Sequence, residues 1–357
     1  MHAPSLAVVV REWGRIGVLG FGGPPAHIAL LRRLCVERRR WLGEDEFEDA
    51  IAACNLLPGP ASTQLAIYCG LRVRGRAGAL AGGLAFVLPG LVAILALAAV
   101  FLQQSPPAAI AGAAEGAGSG VAAVAVAAAL ALAPASRARA ASLARWLVYL
   151  GAGFATAALA APWVVVVLVG CGLLELAVSA ERRPLLSLGS LVWVAFKVGA
   201  LSYGGGFVIV PLMQGDAVHL HHWLTATQFT TAVALGQVTP GPVVHTVAAV
   251  GYGAAGVGGG LLAAAVAFSP SFAFVLAGGA RFDAVRGNVH AQRFLAGAGP
   301  GAVGAILGSA VPLASALAHW WQFVLLGAAA VSLLLLRRGV VTTLVALGIA
   351  GALVEVL

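Results

Sequence analysis

Apolar residues run along this chain in long blocks, separated by short polar stretches that carry most of its arginines. Stretches such as 75–102 and 121–134 are apolar on all sides, and helices of that kind face lipid or other buried helices. A spanning helix needs about 20 apolar residues. The pattern predicts five spans in the first half, over 5–31, 77–102, 107–134, 146–161 and 162–179. It predicts five more in the second, over 185–213, 256–280, 294–317, 320–336 and 339–356. The expected fold is therefore an all-α integral membrane protein with about 10 transmembrane helices. The first run contains Gly22-Gly23-Pro24-Pro25, which can divide it into two short helices.

The pattern is also repeated. Trp41-Leu42 returns as Trp223-Leu224, Phe47 as Phe229 and Pro58-Gly59-Pro60 as Pro240-Gly241-Pro242, each 182 residues later. Leu19, Gly22 and Gly23 return as Leu201, Gly204 and Gly205, and Gly78 and Phe86 as Gly260 and Phe268, with no gap needed. Two repeats are expected, over 1–180 and 181–357. An odd number of spans per half inverts the second copy.

Charge agrees with inversion. Basic clusters lie at 32–40, 72–76, 137–145, 182–183, 281–293 and 337–338, all expected on the cytoplasmic side. The loop matching 32–40 in the second half, 214–222, holds Asp216 and neither lysine nor arginine. Similar sequence with opposite charge bias is expected of inverted-topology repeats. The segment 41–72 is basic at both ends and split by Pro58-Gly59-Pro60 into two pieces of about 20 Å each. Neither crosses a core of about 30 Å, so a re-entrant hairpin is expected, with the tripeptide at its tip. The second half should carry the same hairpin, entering from the opposite side.

Composition fixes the class. The 357 residues are 61% hydrophobic and 10% charged, against about 25% charged in soluble domains. The net charge of +8 comes from the short clusters between apolar runs, so a nucleic-acid partner is not expected. Cys35, Cys54, Cys69 and Cys171 form no CxxC pair and read as small hydrophobes. The tract His219, His221 and His222 reads as a solvated loop rather than a metal site. No P-loop, Rossmann glycine pattern, HExxH or nucleophile elbow occurs, so neither an enzyme, a cofactor nor ATP-driven transport by this chain alone is expected.

The candidate chemistry lies at the breaks. Backbone interrupted at membrane depth must line protein or a water-filled cavity. Pro60 and Pro242 suit the first turn of the helix after each tip, and helix N-termini attract anions. The candidate substrate site thus takes in Pro58, Gly59, Pro60, Ser62, Thr63 and Gln64 from the first tip. From the second it takes in Pro240, Gly241, Pro242, His245 and Thr246, with Asn55, Gln237 and Thr239 flanking as hydrogen-bonding groups. Helix ends contribute only about 0.3–2 kcal/mol each, so a dianion calls for a full cation as well. Arg15 and Lys197 are the candidates, at equivalent repeat positions in apolar runs. Arg15 is alternatively a snorkelling residue or a partner of Glu12. The pairs Gly22-Gly23 and Gly204-Gly205 allow close approach of backbone to a ligand. Glu115, without a counterpart in the repeat, is a weaker candidate proton carrier.

With these residues in view, the chain resembles the chromate ion transporter family. The likeness rests on Phe21-Gly22-Gly23-Pro24-Pro25-Ala26-His27, Trp41-Leu42, Leu57-Pro58-Gly59-Pro60, Gly70 and Ala85-Phe86. In the second half it rests on Phe196-Lys197-Val198-Gly199-Ala200, Tyr203-Gly204-Gly205-Gly206, Pro211-Leu212, Trp223-Leu224 and Val238-Thr239-Pro240-Gly241-Pro242. The resemblance covers both halves and implies the long, two-domain form, a multi-pass protein of the cell (inner) membrane. It implies chromate efflux and chromate resistance, by a secondary mechanism linked to the membrane potential or a proton gradient. The residues alone support an oxyanion; the word chromate comes from the resemblance. Sulfate or another oxyanion as the normal substrate, and an anion channel, stay open as alternatives, as does a homodimeric assembly. Two departures are expected to matter: Thr227-Gln228-Phe229 lacks the acid that usually precedes the Phe, and His245 stands where a neutral residue is expected. His245 would add a titratable donor at the tip, near its usual pKa of about 6.5.

Overall fold

The structure is a computed structural model, and it describes residues 4–21, 23–54, 60–102, 106–140, 142–160, 163–179, 209–278 and 289–356. The described residues form helices and no strands. Four stretches are long and apolar enough to cross a membrane: Ala61–Phe101, Ala108–Arg139, Val243–Ala277 and Gln292–Ser315. Shorter apolar helices cover Leu143–Leu159, Val166–Val178, Trp320–Leu335 and Val340–Val356. Eight of the expected spans thus fall on helices, and the one over 185–213 lies mostly outside the described residues.

The first expected span is corrected. Instead of one helix over 5–31, the chain forms α1 (Leu6–Leu19) and α2 (Pro24–Arg32), and α2 runs on into a π-helical turn over Arg33–Arg38. The two arms fold back on each other. Arg39 bonds Glu12 at 2.7 Å, with Arg38 at 3.7 Å from the same carboxylate, and Trp13 stacks on Trp41 at 6.1 Å. Residues 27 positions apart cannot meet in a continuous helix, which would hold them about 40 Å apart. The reversal follows from Gly23, whose φ of 74° suits glycine, and from Pro24 and Pro25 in the first turn of α2.

The two arms of the first hairpin are formed among the described residues, while Pro58 and Gly59 of its expected tip lie outside them. α3 (Glu44–Cys54) leads toward the tip, and the first arm of α4 (Ala61–Phe101) leads back. Its ends are held together by the ion pair of Arg72 with Glu46, while Arg32 at the end of α2 pairs with Glu44 and Glu48 and ties α2 to the start of α3. At Arg74 and Gly75 the chain leaves helical geometry, with φ 64° at Gly75, and the rest of α4 runs back antiparallel to the first arm. Gly70 and Gly78 meet at this crossing, where a Cβ on Gly78 would stand 2.3 Å from the Gly70 carbonyl oxygen. α5 (Ala108–Ser119), α6 (Val121–Arg139), α7 (Leu143–Leu159) and α8 (Val164–Ser179) follow.

The second half reuses these local geometries. After α9 (Ile209–Gln214), a π-helical turn over Gly215–Leu220 matches Arg33–Arg38. His222 takes φ 53° where Arg40 takes φ 50°. α10 (Ala226–Val238) leads to the second tip, and α11 (Thr246–Gly278) leads away from it. α11 is kinked at Ala255 and Gly256, and Gly251 meets Gly259 there. This kink lies 181 residues after the first, as do its glycines. The ungapped alignment therefore needs one correction: the second half is one residue shorter between Pro242 and the kink. A tight 3-10 turn at Val243–His245 begins that stretch. α12 (Val289–Ser315), α13 (Trp320–Ala330) and α14 (Val340–Val356) complete the chain.

The halves are interleaved. α14 packs on α5, α12 packs on α6, α7 and α8, and the long arms of α4 and α11 pack on each other. That last pair is antiparallel: Gly83 faces Phe272 while Gly260 faces Leu95. α1 runs along α4 with Gly17 against the Phe86 backbone, and the Trp13 indole N–H donates to the Ala66 carbonyl at 2.8 Å.

The α4 crossing should be intolerant of any side chain. Gly78→Ala should lower the stability of the detergent-purified protein by about 1–3 kcal/mol, the usual cost of overpacking. An unchanged melting temperature would show that this crossing is looser than described.

Candidate substrate site

Each tip is followed by a helix whose first carbonyl belongs to the last proline. Pro60 is extended (φ −68°, ψ 104°) and its carbonyl accepts from Thr63 N–H at 2.9 Å and Gln64 N–H at 3.0 Å. Pro242 is extended too (φ −64°, ψ 136°), and its carbonyl accepts from His245 N–H at 2.9 Å. Both prolines are thus capping residues, one position earlier than the first-turn placement expected from sequence. Gly241 has φ 100°, which excludes most other residues.

The two halves meet at Gly20, where α1 ends. The Gly241 N–H, at the second tip, donates to the Gly20 carbonyl at 3.0 Å. The same oxygen takes a second bond from His27 Nε2 at 2.8 Å. His27 Nδ1 lies 3.2 Å from the Ser62 hydroxyl, in the first turn after the first tip. A carbonyl only accepts, so Nε2 carries the proton, and neutral His27 then accepts from Ser62 through Nδ1. One hydrogen-bonded chain, Ser62–His27–Gly20–Gly241, thereby joins the α1–α2 apex and both tips. Each half also presents a phenylalanine edge to a histidine: Phe86 to His27 at 5.0 Å and Phe268 to His245 at 5.2 Å.

Residues next to the two tips in sequence carry buried polar atoms without a partner. Thr63 Oγ1, Gln237 Nε2 and both ring nitrogens of His245 are buried and unbonded among the described residues. The Val87 carbonyl is near the His245 ring but outside hydrogen-bonding geometry. Buried unsatisfied groups cost about 1–3 kcal/mol each, so such a set suggests a ligand or water.

The remaining candidates divide. Ser62, Thr63, Gln64, Pro60, Gly241, Pro242, His245 and Thr246 are all buried at the tips. Thr239 and Thr246 direct their hydroxyl protons to the carbonyls of Leu235 (2.9 Å) and Val243 (2.8 Å), so neither offers that proton to an anion here. Pro240 is half-buried, its carbonyl pressed against Gly90. Gly23 shapes the α1–α2 turn. Arg15 lies on the exposed side of α1, away from the node, and Glu12 is held by Arg39 and Arg38 instead. Lys197, Gly22, Gly204, Gly205, Asn55, Pro58 and Gly59 lie outside the described residues. Glu115 is away from the tips, accepting from Gln322 Nε2 at 2.7 Å with His319 at 4.0 Å. His221 stacks on Trp223, and no metal-ligating group of three occurs among the described residues.

Sequence reasoning missed three parts of this site. Gly20 and Gly90 carry no local signal, because their roles depend on segments far away in the chain. His27 did carry one, as an ionisable residue inside an apolar run.

A family model described as Chromate transporter matches twice, over residues 7–176 and 189–354. The chain belongs to the chromate transporter family. A chromate transport protein of Cupriavidus metallidurans is 31% identical over 335 residues, covering 87% of this chain and 83% of the relative. A chromate transport protein of Pseudomonas aeruginosa is 30% identical over 338 residues, covering 85% and 80%. An uncharacterised transporter of Methanocaldococcus jannaschii is 26% identical over 326 residues, covering 82% and 80%. No solved structure matches. Family membership and the apolar helices make this a membrane protein with a transport rather than enzymatic role.

Gly90 gives the sharpest test of the tip geometry. A Cβ there would stand 2.1 Å from the Pro240 carbonyl oxygen and 2.6 Å from His245 Cε1. Gly90→Ala should abolish substrate transport while the protein still inserts, because the second tip can no longer seat. Full transport by Gly90→Ala would overturn the placement of that tip.

Proposed function

We propose that this protein is a secondary transporter that exports chromate across the cytoplasmic membrane, by alternating access of two inverted repeats over 1–180 and 181–357. The hydrogen-bonded chain Ser62–His27–Gly20–Gly241, together with unpartnered Thr63, Gln237 and His245 close in sequence to the tips, carries this reading. It places small polar groups where two helix starts approach, which suits a tetrahedral oxyanion. The family and the names of its relatives supply chromate as that oxyanion. Inversion is supported by the local geometries that return after 181–182 residues and by the antiparallel packing of α4 on α11. Lys197 is the proposed cation; Arg15, on the exposed face of α1, is not part of the site in this conformation.

Chromate uptake into everted membrane vesicles tests the reading. Saturable uptake by the wild type that falls at least about tenfold in Lys197→Ala is expected for loss of a charged partner. No uptake by correctly inserted wild type under an imposed gradient would overturn chromate as the substrate. Sulfate shares the tetrahedral dianionic shape, so excess sulfate should compete, and stronger uptake of sulfate than of chromate would make chromate a passenger. Counterflow of labelled substrate should be seen, as carriers show it and channels do not.

Fully buried His245, with no counter-charge bonded to its ring, corrects the titratable role expected from sequence: it is proposed to act as a neutral N–H donor at the second tip. Its replacement by Ala should lower transport while leaving the shape of its dependence on pH between about 6 and 8 unchanged. A flattened profile in the variant would overturn the neutral role.

A further inference from the structure

The Gly20 carbonyl is held as a bound anion would be. Two N–H donors from different elements, Gly241 at the second tip and His27 Nε2 on α2, converge on this single oxygen at 3.0 and 2.8 Å. Convergent donors on one oxygen are the usual means of holding an oxyanion in a water-poor site. The carbonyl comes from the end of α1, where helical bonding stops. The Gly20 N–H closes onto the Ile16 carbonyl, and the Gly20 backbone (φ −77°, ψ 67°) has left the helix. The pose leaves no spare room, since a Cβ at Gly20 would stand 2.5 Å from His27 Cδ2. On the far side of Gly241, fully buried His245 lies close, 2.8 Å from where a Gly241 Cβ would sit, with both nitrogens unbonded.

Building on the oxyanion-transport reading above, we propose that the Gly20 carbonyl is an internal stand-in for the substrate: an oxyanion oxygen displaces it and takes its hydrogen bonds from Gly241 N–H and His27 Nε2. His27 is then a direct substrate ligand. The displaced carbonyl belongs to the α1–α2 apex, so binding frees that apex from the second tip. This supplies the differential contact between two states that a substrate-driven movement requires. His27 also bonds Ser62 after the first tip, so the exchange is felt by both tips.

The purified full-length protein tests this in two ways. In the first, apparent affinity is read from the rise in melting temperature with chromate or sulfate. A Gln amide nitrogen can take the place of Nε2, whereas Asn reaches only as far as Nδ1 and Leu donates nothing. His27→Gln should therefore stay within a few-fold of wild type. His27→Asn and His27→Leu should lose about tenfold or more, the worth of a hydrogen bond to a charged group. Wild-type affinity in His27→Leu, or equal losses in the Gln and Asn variants, would overturn the proposal. Stabilisation of the wild type by neither anion would instead defeat the oxyanion reading itself.

The second test does not depend on how His27 variants fold. Phe21 is 45% exposed beside Gly20, and the four native cysteines are buried. In Phe21→Cys, the rate of maleimide labelling should change several-fold when sulfate or molybdate binds. These anions are used because chromate oxidises thiols. An unchanged rate under conditions where the same anion raises the melting temperature would show that the apex stays in place, and would overturn the displacement.

Discussion

The constraint on which this structure turns is that backbone broken at membrane depth must be satisfied by protein. The end of α1 and the second tip are two such breaks, and each leaves N–H or C=O groups that a bilayer cannot solvate. They are resolved against each other. The Gly20 carbonyl, released by the end of α1, takes the N–H that Gly241 exposes through its positive φ. His27 then extends the link to Ser62 after the other tip. Without that mutual satisfaction, each break would carry an isolated polar cost in an apolar medium.

The rest of the fold brings those breaks together. The sharp kinks at Gly75 and Gly256 fold the second arm of each hairpin against the long helix that follows it. Gly90 lets the Pro240 carbonyl approach α4 closely, and Gly17 lets α1 lie against the Phe86 backbone. Small residues at helix crossings do in the membrane what large apolar side chains do in a soluble core, since lipid offers no hydrophobic drive for helices to associate. Interleaving of the halves means that the second tip does not have a complete environment within its own half of the chain.

The two hairpins are alike in path and unlike in what holds them. The first is clamped by the ion pair of Arg72 with Glu46 and anchored to α2 by Arg32 with Glu44 and Glu48. The second begins with a capping box between Thr225 and Gln228 and runs on threonine hydroxyls bonded to their own helix. The same backbone shape is thus supported electrostatically at one end and by local hydrogen bonds at the other. This follows the positive charge bias that only the first half carries at these positions.

Much of this was legible in the chain. Apolar blocks gave the membrane class and eight helices near their observed positions, and Pro240-Gly241-Pro242 marked the second tip. Those features are local or periodic, and a one-dimensional pattern carries them directly. The path of 5–31 was only half legible: Gly22-Gly23-Pro24-Pro25 announced a break, but that its arms fold back became visible only in the pairing of Glu12 with Arg39. The node itself was decided by tertiary structure. Gly20, His27 and Gly241 are bonded because three segments converge there, and Gly90 matters because Pro240, 150 residues away, presses on it. Nothing in the composition around such residues differs from ordinary packing glycines, because a close approach is a property of two distant segments and not of either alone.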